Sequence, residues 1–207
     1  MPVGAFLIIK SKHKQVTILA IYGLIFFCLL RFITDLIPKP YNRLYYSIYT
    51  FIEFSFFAGI FWQSITSALL KKLMIASILL FIILQVIYYT NSHLGYDTIS
   101  IGIETIFVFV YIFFFFYDYF IHVSSEYIYN HYCFWLAIGV MIYLSGSFFI
   151  YILANHITKE QVLNFWFLTY IGETIKNILF AVAVFIYNHQ KSKLKIPNQN
   201  LPYLDFN

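Results

Sequence analysis

The sequence predicts an all-α, polytopic transmembrane helical bundle, and three observations predict it. First, 61% of the 207 residues are hydrophobic and 11% are charged, whereas a soluble domain is about 45–50% apolar and about 25% charged. Second, the mean hydropathy is +0.77. Third, apolar runs of about 20 residues recur between short polar segments. That is the length an α-helix needs to cross about 30 Å of hydrocarbon at about 1.5 Å per residue.

Six runs qualify as spans, near 16–34, 46–65, 72–90, 98–120, 132–154 and 162–187. The polar segments between them carry helix breakers. Pro38, Pro40 and Asn42 mark the first. Lys71 and Lys72 close the second span. Asn91, Ser92, His93 and Gly95 form the next loop, then His122, Ser124, Ser125, Glu126 and Asn130, then Asn155, His156, Thr158, Lys159 and Glu160. Residues 1–190 form a single membrane domain, and 191–207 form a tail with Pro197 and Pro202. The opening MPVGAFLII is apolar and too short to span. It suits an interfacial anchor or the end of a further, seventh span. A signal peptide is not expected, because no small-residue cleavage site follows the first long apolar run.

Lys and Arg distribution sets the orientation. One side carries Lys10, Lys12, Lys14, Lys71, Lys72, Lys191, Lys193 and Lys195, and the other Arg31, Lys39, Arg43 and Lys159. Eight against four places both termini in the cytoplasm, as expected for a bacterial inner-membrane protein. The same clusters flank apolar spans, so the net charge of +4 points to the bilayer as partner and not to nucleic acid. The two cysteines, Cys28 and Cys133, lie within apolar runs and imply neither a disulfide framework nor metal spacing. The 25 Phe are expected to face lipid.

Charged groups inside spans are costly and usually face a partner, a cavity or a site. Glu53, Glu104, Glu173 and Lys176 are such groups. Spans two, four and six enter from one face, with Glu53 eighth in its span, Glu104 seventh, and Thr169 and Glu173 eighth and twelfth. Gln85, Ser145 and Ser147 lie late in spans that run the other way. These groups therefore share one half of the bilayer, the outer half on this orientation, which suggests a polar pocket opening to one side.

Helical spacing sharpens the pattern. Thr169, Glu173, Lys176 and Asn177 stand at i, i+4, i+7 and i+8 on one face. Glu104, Tyr111 and Asp118 repeat every seven residues, with Asp118 near the inner, solvated end. Trp135, Gly139, Tyr143 and Gly146 share a face of span five. Its glycines permit close helix approach, and the Tyr143 hydroxyl can reach a carboxylate.

Each group also has a structural reading. Glu53 can be a protonated carboxyl bonded to a neighbouring helix, and Glu173 with Lys176 can be a structural ion pair. Lys176 is too near mid-span for snorkelling to explain it. Arg31 and Asp35 make an interfacial pair. The six histidines fall in loops or span ends. None joins a metal constellation, although His122, Glu126 and His131 share one loop. No cofactor motif, nucleophile elbow or phosphate loop is present.

The segments IYTFIEF (48–54), FWLAIGVMIYLSGSFF (134–149) and KNILFAVAVF (176–185) resemble a family of uncharacterised small bacterial membrane proteins with seven helices. The resemblance covers most of spans two, five and six. It implies a seventh span ahead of the six, with MPVGAFLII as its end, and it implies no activity.

The expected function is a binding or sensing module. Its polar intramembrane pocket would be lined by Glu53, Glu104, Thr169, Glu173, Lys176 and Asn177, for a small ligand, an ion or a lipid headgroup. The short tail implies a signalling or membrane partner protein for any output. A small proton-coupled transporter and a membrane-embedded lipid-modifying enzyme, with carboxylates as acid and base, are the alternatives.

Overall fold

The computed structural model describes residues 22–23, 25–26, 42–91, 98–122, 127–153 and 159–194, and over these it is helical with short connections. The helices are α1 (Asn42–Ser64), α2 (Ala68–Asn91), α3 (Thr98–His122), α4 (Tyr132–Leu153) and α5 (Lys159–Leu194), with a 3-10 turn at Ile128–Asn130. Isoleucine, phenylalanine and tyrosine are middling helix formers in water. In hydrocarbon every backbone N–H and C=O must be satisfied internally, and a helix does that.

Five helices are long and apolar enough to cross a membrane: Leu44–Ser64, Ala68–Thr90, Ile99–His122, Tyr132–Ile150 and Phe167–His189. The protein is a multi-pass, all-α membrane protein. Five such spans are seen among the described residues, fewer than the six or seven expected. Of the expected first span, 16–34, only Tyr22, Gly23, Ile25 and Phe26 are described; they are helical, and Tyr22 and Phe26 are buried. The segment MPVGAFLII, the Arg31–Asp35 pair and the tail beyond Leu194 lie outside the described residues.

Helix α3 packs against α1, α2 and α4, and α4 makes its broadest contact with α5. Lipid chains are as apolar as the helices, so close packing and interhelical polar contacts hold such pairs together. Gly139 and Gly172 allow the α4–α5 approach. A Cβ on Gly139 would stand 3.3 Å from Leu179 Cβ and 3.4 Å from the Lys176 backbone, and one on Gly172 would stand 3.4 Å from Tyr143 Cα.

Three details depart from the sequence reading. Lys71 and Lys72 do not close a span but fall in the first turns of α2, which begins at Ala68. The α1–α2 connection is therefore only Ile65, Thr66 and Ser67. Asp118 is not solvated: its side chain is 5% exposed. It accepts from Thr66 N at 2.6 Å, Thr66 Oγ1 at 2.8 Å and Ser67 N at 3.1 Å. A carboxylate is thus supplied from α3 to the free N–H groups where α2 begins, which is why so short a connection is tolerated. Nor do the phenylalanines all face lipid. Phe113, Phe120 and Phe149 are exposed, while Phe54, Phe57, Phe61, Phe81, Phe115 and Phe180 are fully buried. Phe54 and Phe81 stack at 4.0 Å between centroids.

Candidate functional site: a buried carboxylate and lysine cluster

Among the described residues Lys176 is the best-buried charged residue, at 0% exposure. Its backbone lies beside Gly139, so α4 closes directly over it. The ammonium donates to Tyr22 OH at 2.8 Å. It also stands 3.6 Å from the Tyr143 ring centroid, 4.2 Å from that of Phe26 and 5.2 Å from that of Tyr22. Three π-faces thus replace much of the hydration that burial removes.

Tyr22 passes this interaction on. Its hydroxyl accepts from Lys176 and donates to Glu53 Oε1 at 3.3 Å, while Tyr143 OH donates to Glu53 Oε2 at 3.4 Å. The two bonds to Glu53 are longer than the usual 2.7–2.8 Å or so for hydroxyl donors. They hold the carboxyl with some slack. Among the described residues no carboxylate oxygen lies within ion-pair distance of Lys176. The tyrosine hydroxyl instead bridges the acid and the base.

Glu104, on α3, is 1% exposed. It lies close enough to Glu53 and Lys176 to interact electrostatically with both. Its Oε1 is the buried side-chain oxygen without a hydrogen-bond partner among the described residues. Glu173 is half-buried one turn before Lys176 and acts electrostatically on Lys176, Glu53 and Tyr22. The centre thus draws on α1, α3, α4, α5 and the segment at Tyr22.

The other polar residues expected near the site have varied surroundings. Thr169 and Asn177 are half-buried on the same helix as Lys176. Gln85 instead donates to Ser47 Oγ at 2.8 Å, tying α2 to α1. Ser147 donates to the Tyr143 carbonyl at 2.9 Å within its own helix. The seven-residue series on α3 splits among partners: Tyr111 meets Ser77 at 2.7 Å, and Asp118 holds the α1–α2 connection. His122 Nδ1 lies 3.4 Å from Asp118 Oδ1, and Cys133 Sγ donates to Ser64 Oγ at 3.0 Å near the same end. His131 packs among Phe115, Tyr119 and Tyr132. Among the described residues no cluster of three His, Cys, Asp or Glu could hold a metal ion.

Sequence reasoning missed Tyr22 and Phe26. A tyrosine six residues into an apolar run was a weak signal in a chain that is 23% aromatic. Its 31-residue separation from Glu53 and 154-residue separation from Lys176 hid the contact.

Comparison with family models, with curated proteins and with solved structures finds no match.

Proposed function

We propose that the protein is a membrane-embedded binding or sensing module whose site is the Glu53–Tyr22–Lys176 cluster with Glu104 and Glu173. Its ligand would be a small molecule, an ion or a lipid headgroup. The observation that carries this reading is Glu104 Oε1, a buried acceptor with no donor among the described residues, beside charged groups held in place by tyrosines. Buried polar atoms are nearly always satisfied, and an exception calls for an explanation such as a bound species. Thr169 and Asn177 would contribute the rim. The host is taken to be a bacterial inner membrane with both termini cytoplasmic, and a membrane partner would receive any signal.

A thermal-shift screen of the purified protein in nanodiscs tests this reading. Ligands that stabilise the native chain should lose their effect in Glu53→Gln and in Lys176→Met. Equal shifts in all three proteins would sink it.

One further observation favours a second reading, proton-coupled transport. Tyr22 OH accepts from Lys176 and donates to Glu53, which is the arrangement a proton relay needs. Such a carrier would show pH-driven flux in liposomes, abolished by Tyr22→Phe.

A further inference from the structure

The cluster has an uneven supply of donors. Both oxygens of Glu53 are engaged, by Tyr22 and Tyr143. Lys176 is committed to Tyr22 and to three aromatic rings. Among the described residues Glu104 alone keeps a buried oxygen open. The missing partner must therefore donate a hydrogen bond. An open carboxyl oxygen accepts, which disfavours an anion, and the strongest hydrogen bond to it comes from a cationic donor.

The same neighbourhood already accommodates an ammonium: Lys176, against the rings of Tyr22, Phe26 and Tyr143. The absence of a metal-capable cluster among the described residues favours an organic cation over a metal ion. Glu104 lies five residues inside the end of its span at Ile99, about 8 Å along the helix. That depth is reachable from the headgroup region.

We infer that Glu104 is the recognition residue of this site and that its ligand presents a primary ammonium group, accepted by Glu104 Oε1 while Tyr22 and Tyr143 hold Glu53. This rests on the reading of the cluster as a binding site. The ammonium can belong to a free amine or to an aminophospholipid headgroup. In either case Glu104 sets specificity, because a quaternary ammonium has no N–H to offer.

The test is thermal unfolding of the full chain in phosphatidylcholine nanodiscs. Ethanolamine is titrated against tetramethylammonium chloride at matched ionic strength, and a parallel set of discs contains phosphatidylethanolamine. Ethanolamine or phosphatidylethanolamine should raise Tm saturably, and whichever does so names the source. Tetramethylammonium should have no such effect. Glu104→Gln should weaken the response at least about tenfold, whereas Gln85→Leu, whose side chain bonds Ser47 outside the cluster, should keep it. Glu104→Asp, which retains the charge with a shorter reach, gives a weakened but measurable response and covers the case in which Glu104→Gln does not reconstitute. No response to either ammonium source, or a response unchanged in Glu104→Gln, overturns the inference. A shift produced by sn-glycerol 3-phosphate and lost in Lys176→Met, with ethanolamine silent, overturns the ammonium assignment while leaving a binding site in place.

Discussion

A lysine buried beside aromatic rings survives in an apolar bundle because several weak contacts replace its water. Lys176 has one hydroxyl partner and three π-faces, and its countercharge at Glu53 is reached through Tyr22. Removing one member of such an arrangement strands the other. Lys176→Met and Glu53→Gln should each lower stability, and the double variant should lose less than the sum. A coupling of about 0.5–3 kcal/mol is expected, read from unfolding titrations of the four proteins. The Gln85–Ser47 bond is an ordinary interhelical link by comparison. Gln85→Leu should cost only about 0.6 kcal/mol and leave the cluster's ligand response intact. At this scale the sequence showed which residues are anomalous, since a charge in a run of Phe and Ile stands out. It did not show their partners. Lys176 is one turn from Glu173, yet its ammonium turns to Tyr22, because the contact is decided by which helix face meets which.

The α4–α5 pair owes its closeness to glycine. The space at Gly139 is already filled by Leu179 and Lys176, whereas a Cβ on Gly59 would meet nothing within 4 Å. Gly139→Val should destabilise by about 1–3 kcal/mol and loosen the lysine site, while Gly59→Ala should stay within about 0.5 kcal/mol of the native protein. Unfolding in matched micelles separates the two. At one end of the bundle, Asp118 serves as a cap delivered from a neighbouring helix. Asp118→Ala should cost about 0.5–2 kcal/mol, as loss of a helix cap does, with faster hydrogen exchange concentrated in residues 66–72. Helix existence was legible from length and apolarity alone. The Asp118 role was not. Its place near a span end favoured a solvated side chain, and only the three-residue α1–α2 connection brings Thr66 and Ser67 beneath it.

For the whole molecule, two polar layers lie at different depths. The Glu53–Tyr22–Lys176 layer lies at the middle of α1 and α5, and the Asp118–Thr66–His122 layer with Ser64 and Cys133 lies at one end of the helices. On the proposed orientation the second layer is cytoplasmic, beside Lys71 and Lys72. Single-cysteine variants at Lys72 and at Lys159, in a background lacking Cys28 and Cys133, should report this. Membrane-impermeant maleimide should label position 159 in intact cells and position 72 only after lysis, and the reverse pattern would invert the topology. What the sequence by itself determined is the environment: hydrocarbon thickness dictates runs of about 20 apolar residues, and the cost of burying charge makes each exception conspicuous. What only the tertiary structure decided is which exceptions meet. Helix periodicity places a residue on a face, but nothing local to the chain says which faces pair. Packing alone brought Tyr22 between Glu53 and Lys176 and left one oxygen of Glu104 open.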